Sequence, residues 1–341
     1  MPRFIVHVGP HKTGTTYLQQ RLAAMRPALR ARGVLFPEVW SASEAMPSQL
    51  KLVVALRTGD TAMLRATRDA VLAQRPDTVL VSAEGISHLR GMQLQRLGDL
   101  IGCNPVTIVF YCRRWCELLP SVWQECVKHG DFFSLEEFVS REAARPFDSD
   151  VMNFAAALDR YEAVFGGQSI QIVSYSNLVD SGRDLVEHFF QTFLPDHQHI
   201  VASSSPAPSA RPNRSLPPLE VEIIRALNAM NAEQGAARGP ALRVWYQRQR
   251  RSLDPDRLEA ILSANLRAIS LSDQEKSVEQ LHAAIESRFG SCMLPPRTAG
   301  RLFTPRNLEA QFVDSRYTAD PVARSELDRL FQAYRRHATA A

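Results

Sequence analysis

The sequence predicts an α/β fold: a parallel sheet flanked by helices, followed by a helical C-terminal extension. Two observations predict it. Short apolar, β-prone runs recur at residues 4–8, 78–83, 106–111 and 170–175. Between them lie segments with apolar residues at helical spacing, near 60–75, 116–128, 134–144, 150–165 and 183–194. Near-continuous apolar strands alternating with helices imply a sheet covered on both faces. In such sheets ligands bind beyond the carboxyl ends of the strands. The punctuation at those ends is Gly9–Thr16, Ser82–Gly85, Arg113-Arg114 and Tyr175–Asn177.

Each element has its own signal. The first strand, Phe4-Ile-Val-His-Val, stops at Gly9-Pro10, and Leu18, Leu22 and Met25 then fall on one helical face. The second strand ends at Glu84-Gly85, the third at Cys112-Arg113 and the fourth at Tyr175. From Val201 to Arg214 the composition is that of a loop, rich in Ser and Pro. Beyond it helices are expected near 216–234, 255–289 and 321–337, and no β pattern returns. The expected organisation is therefore a core over residues 1–215 and a helical part over 216–341 packed on it, a candidate lid for an acceptor site.

Composition narrows the function classes. Of 341 residues, 45% are apolar and 22% charged, which excludes a disordered or collagen-like chain. No run of about 18 uncharged apolar residues exists, so no membrane span is expected. The N-terminal apolar run is too short for a signal peptide, and a cytoplasmic location is expected. A net charge of +4 is too mild to argue for nucleic acid. Five cysteines offer only Cys112-x3-Cys116 as a metal-like spacing, without a second pair, so buried free thiols are expected. Lysine is rare, at positions 12, 51, 128 and 276 alone, yet one stands inside the first glycine turn.

That turn, Gly9-Pro-His-Lys-Thr-Gly-Thr-Thr16, joins a strand to a helix. It places backbone N–H groups at a helix N-terminus, where an anion is favoured, and adds the Lys12 charge and the Thr15 and Thr16 hydroxyls. It is P-loop-type in placement but not a Walker A loop, since Lys12 precedes Gly14 instead of following the last glycine. The next two strands do not end in Asp, and no G-x-G-x-x-G dinucleotide fingerprint is present. The remaining reading is a phosphate cradle that works without a metal.

Gly-Pro-His-Lys-Thr-Gly-Thr-Thr-Tyr17 resembles the 5′-phosphosulfate loop of sulfotransferases that use 3′-phosphoadenosine 5′-phosphosulfate (PAPS), in which K-[ST]-G-T-T is followed by an aromatic residue. The resemblance implies that Lys12, Thr13, Gly14, Thr15 and Thr16 hold the 5′ side of PAPS, with 3′,5′-ADP as product and no metal required. Tyr17 would stack on adenine, with core packing as its other reading. The family's 3′-phosphate pair is an Arg at a strand end and a Ser eight residues later, matched by Arg113 and Ser121, with Arg114 as the competing arginine. Where many relatives have Arg-Asn-Pro this chain has Arg-Arg-Trp. A late basic loop, Arg211-Pro-Asn-Arg214, falls where the family closes the same pocket. The resemblance spans roughly residues 3–230.

Sulfuryl transfer needs an in-line acceptor oxygen, stabilisation of the leaving phosphate and a base for the acceptor proton. Glu84 stands at the position that corresponds to the family's base, with His11 and His88 as other candidates; His7, inside the strand, reads as a core or sheet-edge histidine. The expected acceptor is a hydroxyl of a carbohydrate or small alcohol. Two other classes share features: a nucleotide kinase or NTPase, and a non-catalytic protein binding anionic glycans through Arg243, Arg248, Arg250 and Arg251.

Overall fold

A computed structural model describes residues 1–43, 46–203, 215–294 and 301–340. Among these, the strands are β1 (Arg3–His7), β2 (Val34–Leu35), β3 (Thr78–Ser82), β4 (Val106–Cys112), β5 (Ile170–Ser174), β6 (Leu266–Ser272), β7 (Met293–Leu294) and β8 (Asn307–Val313). The first helix, α1, is Thr15–Ala24. The chain forms two compact units, the first from Met1–Arg114, Met152–Asn213 and Lys276–Thr304, the second from Trp115–Val151, Arg214–Glu275 and Pro305–Ala341. They are not the successive parts expected from composition. Each unit takes segments from both sides of position 215, because the parallel strands draw the chain back to one sheet after long excursions.

The first unit holds a six-stranded sheet in the order β2-β3-β1-β4-β5-β7, with every pairing parallel. β1 lies centrally, with Phe4 opposite Val79 on one side and Val106 on the other. Side chains alternate between faces, as the two-residue strand period requires. Ile5, Leu80, Val109, Tyr111 and Val173 face one core cluster, packed with Leu18 and Leu22 of α1 and with Val186, Phe189 and Phe190 of helix Leu185–Phe193. On the other face, the Phe110 ring meets Phe154 and Tyr161 edge-on, at 5.9 and 6.5 Å between centroids. The α/β class with a parallel sheet is thus the observed one. Helices Leu50–Thr58 and Met92–Ile101 and the short strands β2 and β7 were not foreseen.

In the second unit, helix Pro218–Glu233 lies within the stretch expected, and helix Pro321–Ala340 starts where expected and runs beyond residue 337. The expected helix over 255–289 is instead helix Asp256–Ala264, strand β6 and helix Lys276–Phe289, the last belonging to the first unit. β6 pairs antiparallel with β8, from Leu266 opposite Val313 to Ser272 opposite Asn307, so a β pattern does return after residue 200. The sequence hid it because only Leu271 of β6 is buried, and an Ala-, Leu- and Ser-containing run with one buried side chain carries no clear two-residue alternation. Asp273, fully buried, follows β6 and caps helix Trp115–Lys128: its Oδ1 accepts from the Cys116 N–H at 3.2 Å. Cys112 and Cys116 are buried as expected, whereas Cys103 is exposed. No helix of the described residues is long and apolar enough to cross a membrane.

The first unit buries three histidines, His7, His188 and His282, and burial lowers each from 6.5 to a pKa of about 4. The unfolded chain therefore binds protons that the fold excludes, and stability falls as pH drops from 6.5 towards 4, then levels off for these groups. For His7 alone the loss is about 3 kcal/mol. Urea unfolding at pH 7 and pH 4.5 measures the fall, and His7→Gln is expected to make it shallower.

Candidate active site

The carboxyl ends of β1, β3 and β4 lie side by side in the sheet, and the residues that follow them build the site. The chain leaves β1 through Gly9, at φ 52°, and enters α1 through Gly14, which has φ 77° and is the helix N-cap. A side chain at either place would collide: a Cβ on Gly9 would sit 2.7 Å from Thr15 Cγ2, and one on Gly14 would sit 2.7 Å from Leu185 Cδ2. Lys12 is also left-handed, at φ 72°, a conformation that costs a non-glycine residue about 1 kcal/mol or more. Left-handed residues interspersed in a turn can point successive amides into one concavity, an arrangement suited to an anion.

Side-chain hydrogen bonds hold this turn. Thr13, buried, donates from Oγ1 to the Pro10 carbonyl at 2.8 Å, so its hydroxyl shapes the loop from within. Thr15 is buried as the first residue of α1, while Thr16 is half-buried. Arg113, from the end of β4, donates from Nη1 to the Lys12 carbonyl at 3.0 Å. Residues 101 positions apart are thereby in contact. Arg114 turns elsewhere. Its guanidinium, 1% exposed, donates to the Thr304 carbonyl at 2.6 Å, to Asn177 Oδ1 at 3.1 Å and to Asp180 Oδ2, while its backbone N–H donates to Ser176 Oγ at 3.0 Å. Of the two adjacent arginines, Arg113 is the one at the glycine turn.

The end of β3 is pinned as firmly. Ser82 Oγ pairs with His7 Nδ1 at 2.9 Å and also accepts from Gln19 Nε2 at 3.3 Å. Its backbone N–H donates to Gln49 Oε1 at 2.9 Å. Gln49 is buried and also donates to the carbonyls of Pro37 and Leu80, at 3.3 Å each. The 3-10 turn Glu84–His88 follows. Ser87 Oγ donates back to the Glu84 carbonyl at 2.7 Å, and Tyr161 Oη donates to the Ile86 carbonyl at 2.8 Å. Glu84 and His88 thus project from a short, tied turn. Glu84 Oε2 lies 2.7 Å from His11 Nδ1, and the His88 ring lies 5.0 Å from the His11 ring, tilted by 30°.

The three base candidates are therefore one cluster next to the glycine turn. Tyr17 packs against the main core cluster, and its hydroxyl donates to Asp184 Oδ2 at 2.7 Å; burial first and that hydrogen bond second push its pKa up to about 12. Asp184 also caps the next helix, accepting from the N–H groups of Val186 at 2.8 Å and Glu187 at 3.1 Å. Ser121 stands half-buried on helix Trp115–Lys128 of the second unit. Arg211 and Arg214 lie outside the described residues. The sequence reading missed Gln19 and Gln49, which tie down the end of β3; no spacing rule marks a glutamine that satisfies a strand end from another element.

In the second unit the basic stretch forms helix Ala241–Leu253. Arg250 there pairs with Glu259 at 2.8 Å and Glu220 at 3.4 Å, so that cation serves the unit's own packing, while Arg248 and Arg251 are exposed. Among the described residues no group of three or more His, Cys, Asp or Glu side chains is placed to hold a metal ion.

No family model matches the chain, and no curated protein matches it. A solved structure of a sulfotransferase from Alicyclobacillus acidocaldarius aligns with a TM-score of 0.36 at 16% identity, covering 70% of this chain and 97% of that one. At that distance the functional reading rests on the residues themselves.

The turn's backbone makes its own prediction. Gly14→Ala combines a left-handed φ with a 2.7 Å clash on Leu185 and is expected to destabilise the protein by about 1–3 kcal/mol. Urea unfolding measures it; a cost within 0.5 kcal/mol, about that of an ordinary surface change, would contradict the close packing described.

Proposed function

We propose that this protein is a sulfotransferase that moves a sulfuryl group from PAPS to an acceptor hydroxyl of a carbohydrate or small alcohol. The observation that carries the reading is the contact of Arg113 with the Lys12 carbonyl. It joins two motifs read separately in the sequence, the phosphosulfate-type loop and the strand-end arginine, at one place. A nucleotide phosphorylated at both its 5′ and 3′ positions needs two such anion-binding elements within its own length.

The residues fit such a donor. Gly9 and Gly14 allow the left-handed backbone of the turn, which carries its amides to the start of α1, where a phosphate is favoured. Lys12 brings an ammonium group to the loop, and Arg113 brings a planar guanidinium suited to a phosphate. When bound, the donor would supply an activated sulfonate on a good phosphate leaving group. The loop amides and Lys12 would stabilise charge gathering on that phosphate. The proton of the acceptor hydroxyl would pass to the His11–Glu84 pair at the ends of β1 and β3. Ser121 remains the candidate hydroxyl for the 3′-phosphate from its spacing to Arg113, and Arg211 and Arg214 the candidate late basic loop.

Calorimetry tests this directly. Wild type is expected to bind 3′,5′-ADP at least tenfold more tightly than AMP. Lys12→Ala should abolish transfer and weaken 3′,5′-ADP binding without loss of fold by circular dichroism. Transfer should persist in EDTA, in keeping with a loop in which the lysine precedes the glycine. Equal affinity for 3′,5′-ADP and AMP would overturn the donor assignment.

A further inference from the structure

We infer that His11 is the proton acceptor of the site and that Glu84, placed by the family resemblance at the position of the base, is its positioning residue. The inference rests on the sulfuryl-transfer reading above and names the division of labour within that site.

The argument starts from the two nitrogens of one imidazole. Glu84 Oε2 is 2.7 Å from His11 Nδ1, the separation of a charge-assisted hydrogen bond. An ionised carboxylate only accepts hydrogen bonds, so Nδ1 carries the hydrogen. In the neutral ring Nε2 then carries the lone pair, which makes it the atom that can take a proton. A carboxylate is also intrinsically a weaker base than an imidazole. Placement agrees with chemistry. His11 immediately precedes Lys12 in the glycine turn, whereas Glu84 belongs to the turn after β3. His11 is also the more exposed partner, its side chain 41% accessible against 28% for Glu84.

The surroundings restrict the ring as a base must be restricted. The His88 ring lies beside it at 5.0 Å. Glu84 and His88 are the two ends of one 3-10 turn, so a single rigid element supplies both the carboxylate that sets the tautomer and the ring that limits rotation. Hydrogen bonds from Tyr161 and Ser87 hold that turn, and Ser82, two residues before Glu84, is fixed by His7, Gln19 and Gln49. This is more support than a solvated surface carboxylate receives.

The step balances simply. The acceptor O–H bond breaks and its proton goes to His11 Nε2. The acceptor oxygen bonds to sulfur as the bond from sulfur to the bridging phosphate oxygen breaks, and that electron pair leaves on the phosphate of 3′,5′-ADP. The imidazolium that forms lies against Glu84, whose negative charge stabilises it.

Two variants and two measurements test the assignment. His11→Asn keeps an amide donor near Glu84 but has no proton acceptor. It is expected to lower kcat by on the order of 10² or more, with KM and 3′,5′-ADP affinity within about threefold of wild type. Glu84→Gln is expected to lower kcat less than His11→Asn does. The second measurement needs no turnover: in proteins carrying 15N-labelled histidine, His11 of wild type should show a protonated Nδ1 and an unprotonated Nε2 at high pH, and Glu84→Gln should give a mixture of tautomers. Wild-type turnover in His11→Asn, or a larger kcat loss in Glu84→Gln than in His11→Asn, would overturn the assignment, as would a tautomer indifferent to Glu84. Failure of wild type to prefer 3′,5′-ADP over AMP would instead bring down the donor reading together with this one; preserved donor binding with an active His11→Asn removes the base assignment alone.

Discussion

Residues 9–14 have to turn from a central strand into a helix within six positions, and they do so through three left-handed residues, one of them a lysine. Such a backbone is not stable by itself. It persists because the surrounding structure over-determines it: Thr13 ties the loop internally, the core side chain Leu185 packs where a Cβ on Gly14 would lie, and the Arg113 guanidinium accommodates the Lys12 carbonyl. The turn therefore depends on β4 as much as on β1. Everything placed on it, Lys12 and His11 included, inherits its position from that support.

The same economy governs the neighbouring strand end. Burying Gln49, Gln19, His7 and Ser82 together would be destabilising if any were left without partners, since an unsatisfied buried polar group costs about 1–3 kcal/mol. Each of the other three bonds to Ser82, and His7 Nε2 is the one polar atom of these four side chains left buried without a hydrogen-bond partner among the described residues. The result is a rigid exit from β3, from which the turn bearing Glu84 and His88 departs. Side chains carried on strand ends with such polar ties are held more precisely than side chains on free loops.

The adjacent arginines at the end of β4 illustrate how one residue's neighbours decide its role. They are chemically identical and consecutive. Arg114 points into the helix Tyr175–Asp180 and is consumed by carbonyl, amide and carboxylate acceptors; Arg113 points to the glycine turn.

Local chemistry was enough for the sequence alone to determine much of this protein. The four apolar strands, the glycine turn with Lys12 and the strand-end residues Glu84 and Arg113 are written in short-range patterns: hydrophobic period, glycine placement and proximity to a strand terminus. Spacing to Ser121 favours Arg113 over Arg114 in the sequence, but the neighbours each arginine meets, and the gathering of Glu84, His11 and His88 into one cluster, depend on side chains that arrive from distant segments. It missed β6 and β8 because their pairing joins segments some forty residues apart and buries little of β6. The partition into two units was likewise a tertiary outcome, since parallel pairing recruits whichever segments satisfy the edge of the sheet, regardless of their order along the chain.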